Sequence, residues 1–254
     1  MQVETYIIVA DKFADFTVNQ HTVTLSHFKA LLSLPCHLQP ETARLMLGQG
    51  ISDDDRTSIV ALIEGSARHR LRWDIDALHK QGMRATAQLS HKRNPCNTLI
   101  GSPEVVDENT FRLDLFIDQN CELMNDHQTG QHVQGMVLVE AARQSFLAVT
   151  EKYFLLDHNR KSYFVINEMR SAFLGFVFPL PAHMEYRVLS KNINDRRQRF
   201  DVEVDLIQAS EVRVRTAISF TAYPDEVISE KEAGLAIEAV AHVRSACQPV
   251  AVAA

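Results

Sequence analysis

Residues 125–144, NDHQTGQHVQGMVLVEAARQ, concentrate side chains that can move protons. Two histidines, His127 and His132, precede an apolar run that contains a single acid, Glu140. Imidazoles exchange protons near neutral pH. Burial among apolar residues raises the pKa of a carboxyl group toward the range of a general base, provided that Arg143 does not neutralise it. The pattern therefore predicts acid–base chemistry, with Glu140 as the first catalytic candidate and His127 and His132 as further candidates.

The same residues could also bind a substrate. A helix that begins near Gly135 presents unpaired backbone N–H groups and a partial positive charge, which can polarise a thioester carbonyl. Gly135 would let that carbonyl approach closely, because it has no side chain. Arg143 and Gln144 follow Glu140 by three and four residues and hence share its face of the helix. Arg143 could hold a phosphate or carboxylate, and Gln144 could orient Glu140 or the acyl group.

Simpler interpretations exist for each of these residues. In a helix without other motifs, Glu140 with Arg143 and Gln144 is most often a structural pair. A loop histidine is more often a turn or capping residue, and Asp126 with His127 could cap the helix. No third ligand accompanies His127 and His132, so no metal site is predicted.

Composition limits the classes of protein that fit. The chain has 254 residues, of which 46% are hydrophobic and 23% charged, as in soluble globular proteins. No run approaches the roughly 18 apolar residues of a membrane helix, and the N-terminus lacks the layout of a secretory signal, so a cytoplasmic location without membrane contact is expected. The net charge of −6 makes generic nucleic-acid binding improbable. The four cysteines have no metal-ligand spacing and are expected to be reduced thiols.

The N-terminal third, residues 1–87, is predicted to be an α-rich extension after a short β-like run, TYIIVA. A helical face is indicated within residues 53–82, with Asp53 to Asp55 at a helix N-terminus. The apolar positions of this face are Ile59, Leu62, Ile63, Leu71, Ile75 and Leu78.

Residues 88–224 have a different pattern. Polar and apolar residues alternate through Phe111, Leu113, Leu115 and Ile117, which is the period of a half-buried strand. One long, mostly apolar helix is predicted from Met136 to Phe154, followed by at least four strands. The strand-like runs are SYFVINEMRSAFLG, AHMEYRVLSKNI, QRFDVEVDLIQ and EVRVRTAISFTAY. This order predicts an α+β fold in which one helix covers an antiparallel sheet. Residues 225–254 are assigned to a C-terminal helix and tail.

The segment DHQTGQHVQGMVLVEAARQ resembles the signature of the A-factor biosynthesis hotdog family. The matching positions are Asp126, His127, His132, Gly135, Met136, Glu140, Ala141, Ala142, Arg143 and Gln144. Upstream, SHKRNPCNTLIG at residues 90–101 is similar to the basic His-Lys/Arg start of that family's first hotdog strand. The resemblance implies a hotdog fold, an antiparallel sheet wrapped around one long helix, in residues 88–224. It also adds Asp126 and Met136 to the expected substrate-binding residues.

The chain departs from the family pattern in three respects. One hotdog repeat is visible where the best-known members have two, Gln131 stands in place of an aspartate, and Gln134 replaces a proline. The motif is also similar, more distantly, to that of hotdog acyl-carrier-protein dehydratases and thioesterases. Counting back from Glu140, the dehydratase histidine would fall at Asp126, one residue before His127, which argues against a dehydratase.

The resemblance implies an acyltransferase that moves a β-ketoacyl group from an acyl carrier protein or coenzyme A to a small hydroxylated, phosphorylated acceptor, in the synthesis of a butyrolactone-type signal. A dehydratase or thioesterase and a non-catalytic acyl-binding or regulatory protein are the alternatives. No cofactor is expected, since the thioester is a substrate. A single hotdog exposes a sheet edge, so a homodimer is predicted.

Overall fold

The computed structural model describes residues 3–125, 130–155, 162–194 and 197–246. Within these ranges the chain forms two sheets. The strands are β1 (Glu4–Val9), β2 (Thr22–Thr24), β3 (Ala43–Leu47), β4 (Trp73–Asp74), β5 (Glu104–Val105), β6 (Thr110–Asp114), β7 (Ser162–Phe173), β8 (His183–Asn194), β9 (Arg197–Gln208) and β10 (Glu211–Pro224). The α-helices are α1 (Leu25–Ser33), α2 (Asp53–Glu64), α3 (Ala67–Arg70), α4 (Asp76–Lys80), α5 (Ala87–Ser90), α6 (Gly135–Tyr153) and α7 (Asp225–Ala246). Short 3-10 helices cover Asp11–Val18, Cys36–Leu38, Pro95–Asn97 and Glu122–Met124.

The N-terminal region contains a parallel sheet as well as the predicted helices. Its strands follow the order β2-β1-β3-β4, with Ile7 opposite both Thr22 and Met46. The strands are short, and Ile8 and Leu45 are fully buried in a core that α1 and α2 also line. The sequence indicated only the first of these strands, because β2, β3 and β4 have two to five residues and are too short to show a clear strand period.

The prediction of one continuous helical face within residues 53–82 is wrong. Helix α2 begins as expected, with Ser52 accepting a hydrogen bond from the backbone N–H of Asp55, but it ends at Gly65. Strand β4 then interrupts the segment before α4. Leu62 and Leu71 are 45% and 80% exposed and so do not belong to a buried face. A glycine stops the helix, and Trp73 gains more burial by extending the sheet.

Residues 104–224 form an antiparallel sheet with the order β5-β6-β8-β9-β10-β7. Phe200, Val202 and Val204 of β9 alternate toward the core, as do Val214, Ile218 and others of β10. On the opposite face, Arg187 and Arg215 both bind the carboxylate of Asp205. The four strands predicted after the helix are confirmed as β7 to β10. The alternation predicted through Phe111, Leu113, Leu115 and Ile117 is confirmed only at its start, because β6 ends at Asp114 and Phe116 is buried as well.

Helix α6 covers the apolar face of this sheet and connects β6 to β7. Its span, Gly135–Tyr153, confirms the single long helix predicted from Met136 to Phe154. Phe146 stacks on Phe220 with ring centroids 4.4 Å apart. One long helix against a wrapped antiparallel sheet is the hotdog fold, so the predicted α+β class is correct.

The two sheets meet at one junction, and residues of the N-terminal region reach the core of the hotdog sheet. The side chain of Gln49, which follows β3, donates to the carbonyls of Leu115 and Leu180 and accepts from the N–H of Ile117. Phe13 and Phe16, from the 3-10 helix after β1, pack in the same core cluster as α6. The N-terminal region is therefore packed against the hotdog, while the proposed boundary at residue 87 stays a prediction.

Helix α7, Asp225–Ala246, lies within the residues assigned to a C-terminal helix and tail. Ile228 is its only described buried residue, and residues 229–246 are exposed throughout. Among the described helices, none is both long and apolar enough to cross a membrane.

Candidate functional site

Glu140 lies on the second turn of α6 and is surrounded by hydrogen-bond donors. Arg143 donates from Nε to Oε2 at 2.7 Å and from Nη2 to Oε1 at 2.9 Å. The Nζ of Lys92 lies 2.7 Å from Oε1. The carboxylate is therefore shared by two cations, and the group as a whole carries an excess positive charge.

These partners overturn the expected raised pKa of Glu140. Burial by itself raises the pKa of this carboxyl, but the hydrogen bonds from Arg143 and Lys92, the charge of Arg143 and a bond from Gln144 outweigh burial and hold the pKa at about 2. The condition attached to the prediction, that Arg143 does not neutralise Glu140, is not met. An ionised, paired carboxylate is a poor general base at neutral pH.

Gln144 makes the contact with Glu140 that would orient the carboxylate, and it also binds the backbone of the loop before β5. Its Nε2 donates to Glu140 Oε1 at 3.0 Å and to the carbonyl of Asn97 at 2.8 Å, while its Oε1 accepts from the N–H of Leu99. The side chain is fully buried. It therefore joins α6 to the loop that leads toward β5.

A cleft of about 1040 Å³ opens beside this cluster, between α5, α6 and the start of β7. We call it the α5–α6 cleft. Its described lining residues are Ala87, Gln88, Leu89, His91, Lys92, Arg93, Arg143, Phe146, Leu147, Glu151, Lys152, Leu155, Ser162, Tyr163, Phe164 and Ile166. The lining combines apolar side chains with four cations and one acid. The cleft suits a molecule with an apolar part and an anionic part.

The start of α6 lines a second, smaller cavity of about 390 Å³. His132 and Gly135 are among its lining residues, and the ring of His132 lies 4.8 Å from that of Phe176. A Cβ on Gly135 would meet the ring of Phe173 at 2.9 Å. The close approach at Gly135 is thus made by Phe173 in this structure.

The predicted site residues fall into two groups. Glu140, Arg143 and Gln144 form one cluster, and Arg143 opens onto the α5–α6 cleft. His132 and Gly135 line the smaller cavity, and Met136 is 64% exposed. Asp126 and His127 lie outside the described residues.

The comparison with protein families matches the part of the chain that contains these residues. Residues 73–224 match the A-factor biosynthesis hotdog domain. The chain belongs to this family. The match includes the motif around Glu140, the loop that supplies Lys92 and all six strands of the hotdog sheet. It begins at residue 73, ahead of the predicted boundary. No curated protein matches the chain in sequence.

Solved structures with similarity to the hotdog domain include a mutant thioesterase from Pseudomonas aeruginosa and a protein from Shewanella oneidensis. The first is 17% identical, covers 57% of this chain and 99% of its own, and has a TM-score of 0.40. The second is 15% identical, covers 54% of this chain and 94% of its own, and has a TM-score of 0.41. Similarities of this size do not bear on the reaction of this chain.

The hotdog domain keeps its helix start despite the departures from the family motif. Gln134 occupies the N-cap of α6 with φ −62°, a value that proline also adopts, so the backbone conformation does not depend on proline. Gln131 donates to the carbonyl of Asp15 and so contacts the N-terminal region.

Sequence reasoning assigned no role to Lys92, His91 or Glu151. The first two lie in the basic SHKR run, which was noted only as part of the resemblance. Glu140 and Glu151 are eleven residues apart, close to three full turns, so both lie on one face of α6. This spacing is the feature of the sequence that could have identified Glu151 as a site residue. Among the described residues, no group of three or more His, Cys, Asp or Glu side chains is arranged to hold a metal ion.

Proposed function

We propose that this protein is an enzyme of acyl thioesters, and specifically an acyltransferase. It would move a β-ketoacyl group from an acyl carrier protein or coenzyme A to the hydroxyl of a small phosphorylated acceptor. The observation that carries the proposal is the pair of cations, Lys92 and Arg143, held over one carboxylate at the wall of the α5–α6 cleft.

In this proposal Glu140 positions cations instead of removing a proton. Its carboxylate fixes the side chains of Arg143 and Lys92, and the excess positive charge binds the phosphate of the acceptor. Leu89, Phe146 and Phe164, among the apolar lining residues, would contact the acyl chain. No resident cofactor is needed, because the thioester already activates the carbonyl carbon for attack.

The first test is to incubate the protein with a β-ketoacyl-coenzyme A and dihydroxyacetone phosphate, and to measure both ester and free thiol. We expect both products in equal amounts. Release of thiol without an acceptor would instead indicate a thioesterase, and loss of water from a β-hydroxyacyl thioester a dehydratase. If no thioester is consumed, the acyltransferase proposal is lost.

Variants of the two cations test the role of the cleft. We expect Arg143→Ala and Lys92→Ala each to lower kcat/KM for the phosphorylated acceptor by about 10- to 100-fold, the equivalent of one charge-assisted hydrogen bond. Both should also lose the preference for a phosphorylated over an unphosphorylated acceptor. Arg44→Ala and Lys29→Ala are matched controls, because these residues form ion pairs with Asp74 and Asp55 outside the cleft. Equal losses in the controls would contradict the proposal.

A second candidate function, a non-catalytic acyl-binding protein, is favoured by one observation. Glu140 is ionised and engaged by its neighbours, as expected of a purely structural or ligand-holding group. This alternative predicts that a bound β-ketoacyl thioester survives long incubation with the acceptor. Mass spectrometry of the recovered ligand distinguishes it from the transferase.

We also propose that the protein is a homodimer joined through β7. This strand pairs with β10 on one side, and in the described part of the chain no strand pairs with its other side. A free edge of this length invites a second copy. Sedimentation should give twice the chain mass of 28.7 kDa.

A charge on the free edge tests the dimer. Ile166→Lys, on β7, should shift the protein toward the monomer, whereas Leu189→Lys should not, because Leu189 is also exposed but lies on the internal strand β8. A wild-type protein that sediments as a monomer would rule out this assembly.

A further inference from the structure

The α5–α6 cleft contains a histidine–carboxylate pair that the motif around Glu140 does not include. His91 Nε2 lies 2.5 Å from Oε1 of Glu151, on α6. Both residues line the cleft, and their side chains are 36% and 21% exposed. A carboxylate bound to one imidazole nitrogen fixes the tautomer, so that Nε2 carries the hydrogen and Nδ1 keeps the lone pair.

The backbone holds His91 in an uncommon conformation. His91 follows α5 with φ 55° and ψ 37°, in the left-handed region that glycine or asparagine usually fills at a helix end. The N–H of His91 donates to the carbonyl of Gln88, and that of Lys92 to Ala87. A larger side chain in this conformation is frequent at functional sites, where the rest of the structure stabilises the strain.

The imidazole is also fixed by an aromatic neighbour and lies beside the cation cluster. The ring of Phe164 meets that of His91 edge-on at 5.7 Å between centroids. Lys92, the next residue, reaches back to Glu140. The loop after α5 thus places an imidazole and an ammonium group on the same cleft, whereas the Glu140 carboxylate is occupied by its ion pairs.

We propose that His91 is the general base of the reaction in the α5–α6 cleft and that Glu151 is its positioning residue. This inference rests on the proposed acyltransferase function. Nδ1 of His91 accepts the proton of the acceptor hydroxyl as its oxygen attacks the thioester carbonyl carbon. The carbon–sulfur bond then breaks, the imidazolium returns the proton to the leaving thiolate, and the products are an ester and a thiol.

Other charged groups share the cleft with His91. Glu151, Lys152 and Arg143 face the cleft from α6, Lys92 and Arg93 follow His91 in the chain, and Tyr163 faces it from β7.

The test compares transfer rates of three variants with the wild type. His91→Asn tolerates the left-handed backbone but removes the imidazole, and we expect kcat to fall by about 100-fold or more, the usual contribution of a general base, with the KM of the acceptor changed less than about 3-fold. Glu151→Gln should lower kcat by about 10-fold, less than His91→Asn does, again with the KM of the acceptor changed less than about 3-fold. His79→Gln is the matched control, because His79 pairs with Glu64 at 3.2 Å outside the cleft.

The outcomes separate this inference from the proposed function. If the wild type transfers acyl groups and His91→Asn retains its kcat within about 3-fold, His91 is not the base, although the transferase proposal stands. A kcat of Glu151→Gln within about 3-fold of the wild type removes the positioning role. If the wild type consumes no thioester, both proposals fail together. Melting temperatures of the variants show whether a lost rate reflects lost folding.

Discussion

A single acid in an apolar run can be a general base with a raised pKa or an ion-paired carboxylate with a lowered pKa. Glu140 is the ion-paired carboxylate. Without partners, burial would keep its proton on at higher pH. With Arg143 on the next turn and Lys92 from a distant loop, the charged form is the stable one. The same carboxylate that could have been a base holds two cations instead, and in the proposed reaction another group transfers the proton.

The ion pairs of Glu140 should contribute to acid stability. A carboxyl whose folded pKa is lowered stabilises the fold above its ordinary pKa and loses that contribution as the pH falls through the folded value. With an ordinary value of 4.5 and a folded value of about 2, the contribution is lost between these two pH values. It amounts to up to about 3 kcal/mol at neutral pH.

We therefore expect Glu140→Gln to lower the free energy of unfolding at pH 7 by about 2–3 kcal/mol and to remove this part of its acid dependence. Urea unfolding at pH 7 and pH 3 measures both effects. Glu238→Gln, at an exposed position on α7, is the control and should change neither. An unchanged stability of Glu140→Gln at pH 7 would show that the cations do not need this carboxylate for folding.

At the scale of elements, helix α6 has two faces that make different contacts. One face packs on the antiparallel sheet through residues such as Ala141 and Phe146, and the other carries Glu140, Gln144 and Glu151 toward α5 and the loop after it. Packing of the apolar face fixes the position of the helix. Residues of the polar face bind side chains of the loop after α5. The cleft exists because α5 and β7 approach α6 without covering this second face.

Helix α7, unlike α6, buries almost none of its residues. We expect deletion of the segment after Glu232 to change the melting temperature by less than about 2 °C, since the described residues removed are exposed. Calorimetry of the shortened chain measures this. A fall of more than about 5 °C, or a change of mass in solution, would mean that α7 packs on a second copy of the chain.

At the scale of the whole molecule, the N-terminal sheet and the hotdog should unfold together. Gly48, next to Gln49 at the junction, has no room for a side chain, because a Cβ would lie 2.2 Å from the carbonyl oxygen of Pro179. Trp73, the single tryptophan, is buried in the core of the N-terminal sheet and reports on that region alone.

We expect Gly48→Ala to lower the free energy of unfolding by about 2–4 kcal/mol. The urea midpoints of Trp73 fluorescence and far-UV circular dichroism should shift together. Gly234→Ala is the matched control, because no atom lies within 4 Å of its added Cβ. If Trp73 unfolds at a lower urea concentration than the circular dichroism signal does, the two regions are independent units.

The sequence by itself determined what depends on near neighbours. The strand period of β9, the single long helix α6 and the spacing of Glu140, Arg143 and Gln144 follow from residues a few positions apart, and the family match confirms the hotdog. Only the tertiary structure decided which charges meet. Lys92 and Glu140, and His91 and Glu151, are distant in sequence, and so are the strands of the parallel sheet. The pKa of Glu140 depends on such neighbours, because burial and charge act across space and not along the chain.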